Sequence, residues 1–268
     1  MKDVRFITRA DDAGSSHSAN RAIASVIRAG FIKNVSIMAP GGFVDDAAEL
    51  FADKEVICFG LHATLNAEWD RVKWGPVYAG LENSGLVDEK GMFLPDPKLF
   101  AQTKPSLDII LTELDAQLDK LSRAGFDIRY VDSHMLPEMW VAGLEDAMDA
   151  WAQRKGLLYH MYYYALPPGW ERVARDPHQL LPVLRELPSG QYFFLIHPAF
   201  YGAEMLLTGN SETSSEQVAK DRDAEARMFS RKSMKCLMRF LSIRSMRYDE
   251  AKPGPRLSRQ ELMQMFGL

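Results

Sequence analysis

Short apolar, β-branched or aromatic runs recur along the chain, each followed by polar or glycine-rich residues and then by a stretch with helical periodicity, the rhythm of βα units. The first run, Val4-Arg5-Phe6-Ile7-Thr8, stops at Asp11-Asp12-Ala13-Gly14. Ser18 to Ala29 then places Ala22, Ile23, Val26 and Ile27 on one helical face before Gly30 ends it. Asn34 to Met38 predicts a second strand, closed by Pro40-Gly41-Gly42. Val56-Ile57-Cys58-Phe59, apolar as suits a strand covered on both faces, runs into Gly60-Leu61-His62. Leu107 to Ala124 spaces Ile110, Leu114, Leu118 and Leu121 as a helix that Gly125 closes. Ile128 to Val131 leads into Asp132-Ser133-His134, and Leu157 to Tyr164 and Tyr192 to Ile196 predict two more strands, the latter running into His197-Pro198. Ser211 to Arg244 reads as one long or broken helical region, and Ser258-Arg259-Gln260-Glu261 has the form of a capping box opening a short last helix.

This order predicts an α/β fold, a TIM-barrel-like (β/α) barrel. With 268 residues, 47% of them hydrophobic and 25% charged, the chain can bury a full core as one domain spanning 1–268. A long inserted loop at about 63–105 exceeds an ordinary βα connection. It carries Trp69, Trp74 and Tyr78, whose flat faces suit a sugar ring and equally suit gluing the loop to the body.

Charge and cysteine content narrow the function classes. A net charge of -4 provides no basic stripe for phosphates and no polybasic anchor, so neither nucleic acid nor a membrane surface is an expected partner. There is no signal-peptide pattern and no run of ~18 apolar residues, which suits a cytoplasmic protein. Cys58 and Cys236 form no CxxC pair or zinc spacing and are expected as buried, reduced thiols. No G-x-G-x-x-G follows the first strand and there is no P-loop, which argues against nucleotide or redox chemistry.

His62, His134, His197 and the Asp11-Asp12 pair all fall just after predicted strands. In parallel α/β folds those strand ends share one mouth, so the four sites can meet. Two imidazoles and a carboxylate make a three-ligand set for a catalytic divalent ion, zinc favoured and magnesium or another transition metal compatible. Successive side chains leave a strand on opposite sides, so one aspartate should ligate while its neighbour serves as a base near the attacking water. Singly, each feature has a structural explanation: Asp-Asp-x-Gly as a helix-entry cap, a histidine as a hydrogen-bonded residue. Their combination points to a metal-dependent hydrolase. His17, His160 and His178 read as structural, with the lesser alternative that His160 points into the barrel and touches substrate, and Asp132 reads equally as a turn former or as a partner orienting a histidine.

The segments Ala10-Asp11-Asp12-Ala13-Gly14, Gly60-Leu61-His62-Ala63-Thr64-Leu65, Val131-Asp132-Ser133-His134 and His197-Pro198 resemble, in order and spacing, the YdjC-like carbohydrate deacetylases, which include chitooligosaccharide and hopanoid-pathway glycosyl deacetylases. The resemblance implies a TIM-barrel-like fold and one divalent ion that helps remove an acetyl group from a small N-acetylated sugar. By motif position it implies Asp12, His62 and His134 as metal ligands, Asp11 as the base and His197 as the acid. Ala13 stands where the family usually has phenylalanine, and Leu136 where many members have the second histidine of His-x-His, which marks a divergent branch whose substrate need not be a chitin fragment. Hydrolysis of another amide, an ester or a phosphate stays open, as does a non-catalytic carbohydrate-binding protein on the same scaffold. Oligomeric state also stays open, a homodimer among the options.

Overall fold

Each strand of this chain carries two alternating sets of side chains, and the fold sends them to two different cores. In the computed structural model, which describes residues 2–175 and 177–265, the strands are β1 (Val4–Ala13), β2 (Asn34–Ile37), β3 (Cys58–Ala63), β4 (Ile128–Ser133), β5 (Leu158–Tyr159), β6 (Gly190–Ile196) and β7 (Ile243–Met246). The helices are α1 (His17–Ala29), α2 (Val44–Phe51), α3 (Phe100–Thr103), α4 (Leu107–Arg123), α5 (Leu144–Lys155), α6 (Trp170–Arg175), α7 (Leu180–Glu186), α8 (Ser215–Phe229), α9 (Lys232–Phe240) and α10 (Arg259–Met265). Phe6, Ala10, Val35, Phe59 and Val131 belong to the large outer core beneath the helices. Ile7, Cys58, Tyr130, Phe193, Met246 and Tyr248 pack against one another as a separate inner core. Strands whose inward residues meet in this way form a (β/α) barrel, as the sequence predicts.

All ladders are parallel, in the order β5-β4-β3-β2-β1-β6. β6 occupies one edge of β1 from Val4 to Ala10. The other edge is shared, with β7 beside Val4 to Ile7 and β2 beside Arg9 to Ala13. Asn34 ties these two end to end: Nδ2 donates to the carbonyls of Thr8 and Met246, and Oδ1 accepts from Tyr248 N–H. Among the described residues no ladder joins β5 to β6, but Phe193 N–H donates to Ala165 O at 2.7 Å across that gap.

Three predicted elements differ. β3 starts two residues late, because Ile57 N–H closes a turn on Lys54 O and leaves Val56 59% exposed. The run 157–164 is extended only over Leu158–Tyr159 and then winds into a 3-10 turn, His160–Tyr162, since its apolarity signals burial without specifying extension. The charged region 211–244 divides into α8 and α9, and Ser242, at φ 57°, turns the chain into β7, where Ile243 and Met246 are buried beside β1. The capping box at Ser258 forms, its backbone N–H donating to Glu261 and its Oγ accepting from Glu261 N–H. Of the two cysteines expected to be buried, Cys58 is and Cys236 is exposed, since it lies on the outer face of α9. None of the described helices is long and apolar enough to cross a membrane.

The stretch 64–105 holds little regular structure: a 3-10 turn at Pro97–Leu99, α3 and an isolated bridge between Val87 and Phe93. It is tied to the body through α4. Buried Glu113 accepts from the backbone N–H groups of Val77 and Tyr78 and from Gln117 Nε2, and Gln117 also bonds both backbone groups of Thr64.

Candidate active site

The inward series of each strand leads from the inner core to the chemistry. Following Ile7, β1 directs Arg9 and Asp11 inward; β3 runs Cys58, Gly60, His62; β4 runs Tyr130, Asp132, with His134 next. Gly60 is required, since a Cβ there would lie 2.2 Å from the Tyr130 ring. Strand alternation alone would send Asp12 outward. A register shift between Ala10 and Ala13 and a left-handed φ of 65° at Asp12 turn its carboxylate back into the mouth. The helix-entry cap is made by Ser16, whose Oγ accepts from Ala19 N–H, so both aspartates are free of that role.

Three atoms converge. Asp12 Oδ1 lies 3.4 Å from His62 Nε2 and 3.7 Å from His134 Nδ1, and the two imidazole nitrogens are 3.2 Å apart. Such separations are what bonds of about 2.0–2.2 Å from three ligands to one ion produce. Asp12 Oδ1 is buried and has no hydrogen-bond partner. Behind each atom the remaining polar group is held: His62 Nδ1 by Asp132 at 2.9 Å, His134 Nε2 by Glu68 at 2.9 Å and Asp12 Oδ2 by Arg222 at 2.6 Å. Carboxylate-backed imidazoles of this kind are typical of metal-binding histidines.

The electrostatics agree. Burial alone would raise the Asp12 carboxyl, but Arg222 beside it and the His62 contact hold it well below the usual carboxylate range. Burial would likewise lower His62, yet the Asp132, Asp12 and Asp11 carboxylates outweigh it and raise that imidazole to about 10. A field that holds a proton so firmly also attracts a metal cation. Around the centre, the carboxylates of Asp11, Asp12, Asp132 and Glu68 outnumber the guanidiniums of Arg9 and Arg222 and the His62 imidazole, leaving an excess of negative charge that favours a cation. The other spatial grouping of acids and histidine, Asp11, His62 and Asp132, suits an ion less well, because Arg9 already pairs with Asp11 at 2.6 Å and Asp132 at 2.9 Å.

Asp11 lies beside this centre, both oxygens held by Arg9 at 2.6 and 2.7 Å, while Arg9 packs over the Phe193 ring. His197, just past β6, brings Nε2 to 4.0 Å from Asp11 Oδ2, and its side chain is 41% exposed at the mouth. Its backbone N–H donates to Glu225 at 2.6 Å. All five residues singled out by motif therefore line one cavity of about 480 Å³, within the usual span of about 300–1,000 Å³ for small-molecule sites. A neighbouring cavity of about 410 Å³ shares Asp12, Glu68, Trp69 and Arg222 with it. A larger cavity, about 700 Å³, lies at the opposite end of the sheet beside Asp3, Arg5 and Gly190, away from both acid-histidine groupings.

Of the loop aromatics, Trp69 lines both site cavities and Trp74 is buried against His134, donating Nε1–H to Asn66 O, whereas Tyr78 is exposed and lines neither. His17 pairs with Asp46 at the surface, and His178 lies in the turn Pro177–Gln179. Asp132 backs His62, the orienting alternative of its two readings. Leu136, at φ 49°, is part of the cavity wall, and Ala13 is buried in the outer core. Sequence reasoning did not find Arg9, Glu68, Arg222 or Glu225. Arg9 had a usable signal, a charge two residues before Asp11 on the inward series. Glu68 sits in an irregular loop, and Arg222 and Glu225 are two of many charges on α8.

Residues 5–157 match the family model described as YdjC-like protein, a span that includes Asp11, Asp12, His62 and His134. A carbohydrate deacetylase from Thermoanaerobacter pseudethanolicus is 27% identical over 221 residues, covering 75% of this chain and 83% of that protein. Carbohydrate deacetylase 1 of Listeria innocua is 29% identical over 133 residues; there the aligned stretch spans 49% of this chain and only about half, 51%, of the relative. A solved structure from Enterococcus faecalis, described as a cellobiose-phosphate cleavage protein, superposes with a TM-score of 0.71 at 17% identity, covering 92% of this chain and 98% of that one, which establishes the shared fold. With its motifs assembled at one barrel mouth and more than half of its length matched, the chain belongs to the YdjC-like family.

Proposed function

We propose that this chain is a metal-dependent hydrolase that removes an acetyl group from a small N-acetylated sugar or oligosaccharide in the cytoplasm. The observation that carries the reading is the unpartnered, buried Asp12 Oδ1 facing two imidazole nitrogens whose far sides are held by Asp132 and Glu68. Asp12, His62 and His134 would hold the ion, zinc favoured by the donor set and magnesium or another transition metal compatible with it. The names of the sequence relatives support the carbohydrate substrate.

An amide is a weak electrophile with a poor leaving group, so its hydrolysis needs polarisation, an activated water and a proton donor. A divalent ion supplies the first and acidifies water. Asp11 acts as the base: Arg9 fixes both carboxylate oxygens, and each keeps a further lone pair to take the proton of the attacking water. His197 stands on the open side of Asp11, placed to protonate the departing amine. Its anchored backbone holds it there. Trp69 offers a flat face in the cavity wall against which a sugar ring can lie.

The test is metal content by elemental analysis together with acetate release from a panel of N-acetylated mono- and disaccharides. About one divalent ion per chain and acetate from at least one sugar are expected. An ion without acetate release moves the reading to another amide, ester or phosphate, and failure to retain added zinc, cobalt or magnesium overturns the metal centre.

A further inference from the structure

His160, in the wall of the active cavity, and Glu138 and Tyr159 behind it form a buried polar cluster that the mechanism above does not use. His160 is 1% exposed, lines the same cavity as Asp12 and His134, and neither ring nitrogen has a hydrogen-bond partner. Its Nε2 lies 3.8 Å from Glu138 Oε1, beyond hydrogen-bond reach. Glu138 is fully buried; its Oε1 accepts from Ser133 Oγ at 2.5 Å and from the Tyr159 hydroxyl at 3.0 Å, while its Oε2 accepts from nothing.

A buried imidazole without partners costs free energy unless something completes it. The edges of Tyr159 and Tyr164 pack against the ring and hold it in place without satisfying either nitrogen. A neutral imidazole presents one donor and one acceptor, and the complementary group is one that both donates and accepts. On the deacetylase reading, on which this inference rests, such groups are the hydroxyls of the sugar ring.

We propose that His160, held by Tyr159 and Tyr164 and backed by Glu138, is a sugar-hydroxyl subsite of the active cavity and a determinant of substrate specificity. An imidazole left unsatisfied for binding costs the folded state free energy and does not support it, which separates this role from a structural one. His160→Phe, which replaces the imidazole by a slightly larger ring and removes both nitrogens, is predicted to keep zinc content at the wild-type level and to leave the melting temperature at or above it. Its KM for an N-acetylated sugar that the wild type deacetylates should rise about 5- to 100-fold, as expected when a buried polar contact to substrate is removed, with kcat changed less than twofold. The 3-, 4- and 6-deoxy analogues of that sugar locate the partner: one of them should raise the wild-type KM and leave that of His160→Phe unchanged.

A KM unaffected by His160→Phe, a penalty for His160→Phe that no deoxy analogue removes, or a melting temperature that falls by several degrees with KM unmoved each overturns the subsite. Absence of acetate release from every sugar by the wild type overturns the deacetylase reading instead, and this inference with it.

Discussion

Arg222 donates from Nη1 to Oδ2 of Asp12 at 2.6 Å, across 210 residues of sequence, so Oδ1 is the oxygen turned toward His62 and His134. The guanidinium also packs over Trp69, which fixes its approach. Replacing Arg222 with alanine should free the carboxylate to rotate and weaken ion binding about 10- to 100-fold, the usual cost of losing a residue that orients a ligand. Competition with a chromogenic chelator measures it. Arg222→Lys should recover part of the loss, because it keeps the charge but not the fork geometry; equal affinity in wild type and Arg222→Ala would show that β1 alone orients Asp12.

Neighbouring aspartates should separate cleanly by experiment. Asp12→Ala, His62→Ala and His134→Ala are each expected to lose both ion and activity. Asp11→Asn should keep the ion and lose about 10²- to 10⁴-fold in kcat, the range for removing a general base. Elemental analysis beside acetate release reads both, and an Asp11→Asn protein with wild-type turnover would remove Asp11 from the mechanism.

Glu113 holds the loop that bears Trp69 and Trp74. Its two oxygens accept from Val77 N–H, Tyr78 N–H and Gln117, so an amide at this position must turn a donor toward a donor. Glu113→Gln should destabilise the protein by about 1–3 kcal/mol in denaturant titrations and speed proteolytic nicking within 64–105. A bound ion should still be found, since His62 and Asp12 are anchored elsewhere. A variant of unchanged stability would mean the loop holds without this carboxylate.

The two thiols should behave differently. Burial among apolar side chains pushes the Cys58 thiol up to about 12, so it stays protonated at pH 8, whereas Cys236 is exposed. Ellman's reagent at pH 8 is expected to modify one thiol per native chain and two after unfolding. Since the folded state raises this pKa above its ordinary value of 9.0, the stability gained by keeping Cys58 neutral is full below pH 9 and declines as pH rises toward 12. Cys58→Ala should flatten that alkaline decline, and a steep decline persisting in the variant would assign it to other groups.

Periodicity and punctuation alone identified the βα rhythm, most of the strands and the residues at their carboxyl ends. That worked because a parallel barrel imposes local patterns: apolar runs for doubly covered strands, and ligating residues at the positions where strands stop. The convergence of Asp11, Asp12, His62, His134 and His197 was legible for the same reason. Short elements were not. β7 is four residues long and exists because Val4 to Ile7 leave an edge for it, a fact absent from its own sequence. The tertiary structure decided, too, which carboxylate faces the His62 and His134 imidazoles. By alternation Asp12 points outward, and only its left-handed backbone, secured by a register shift in β1 and by Arg222 from α8, brings it in. Glu68, Arg222 and Glu225 reach the site from an irregular loop and a charged helix. Their roles depend on distances set by packing, and packing across 66 or 210 residues leaves no periodic trace in the chain.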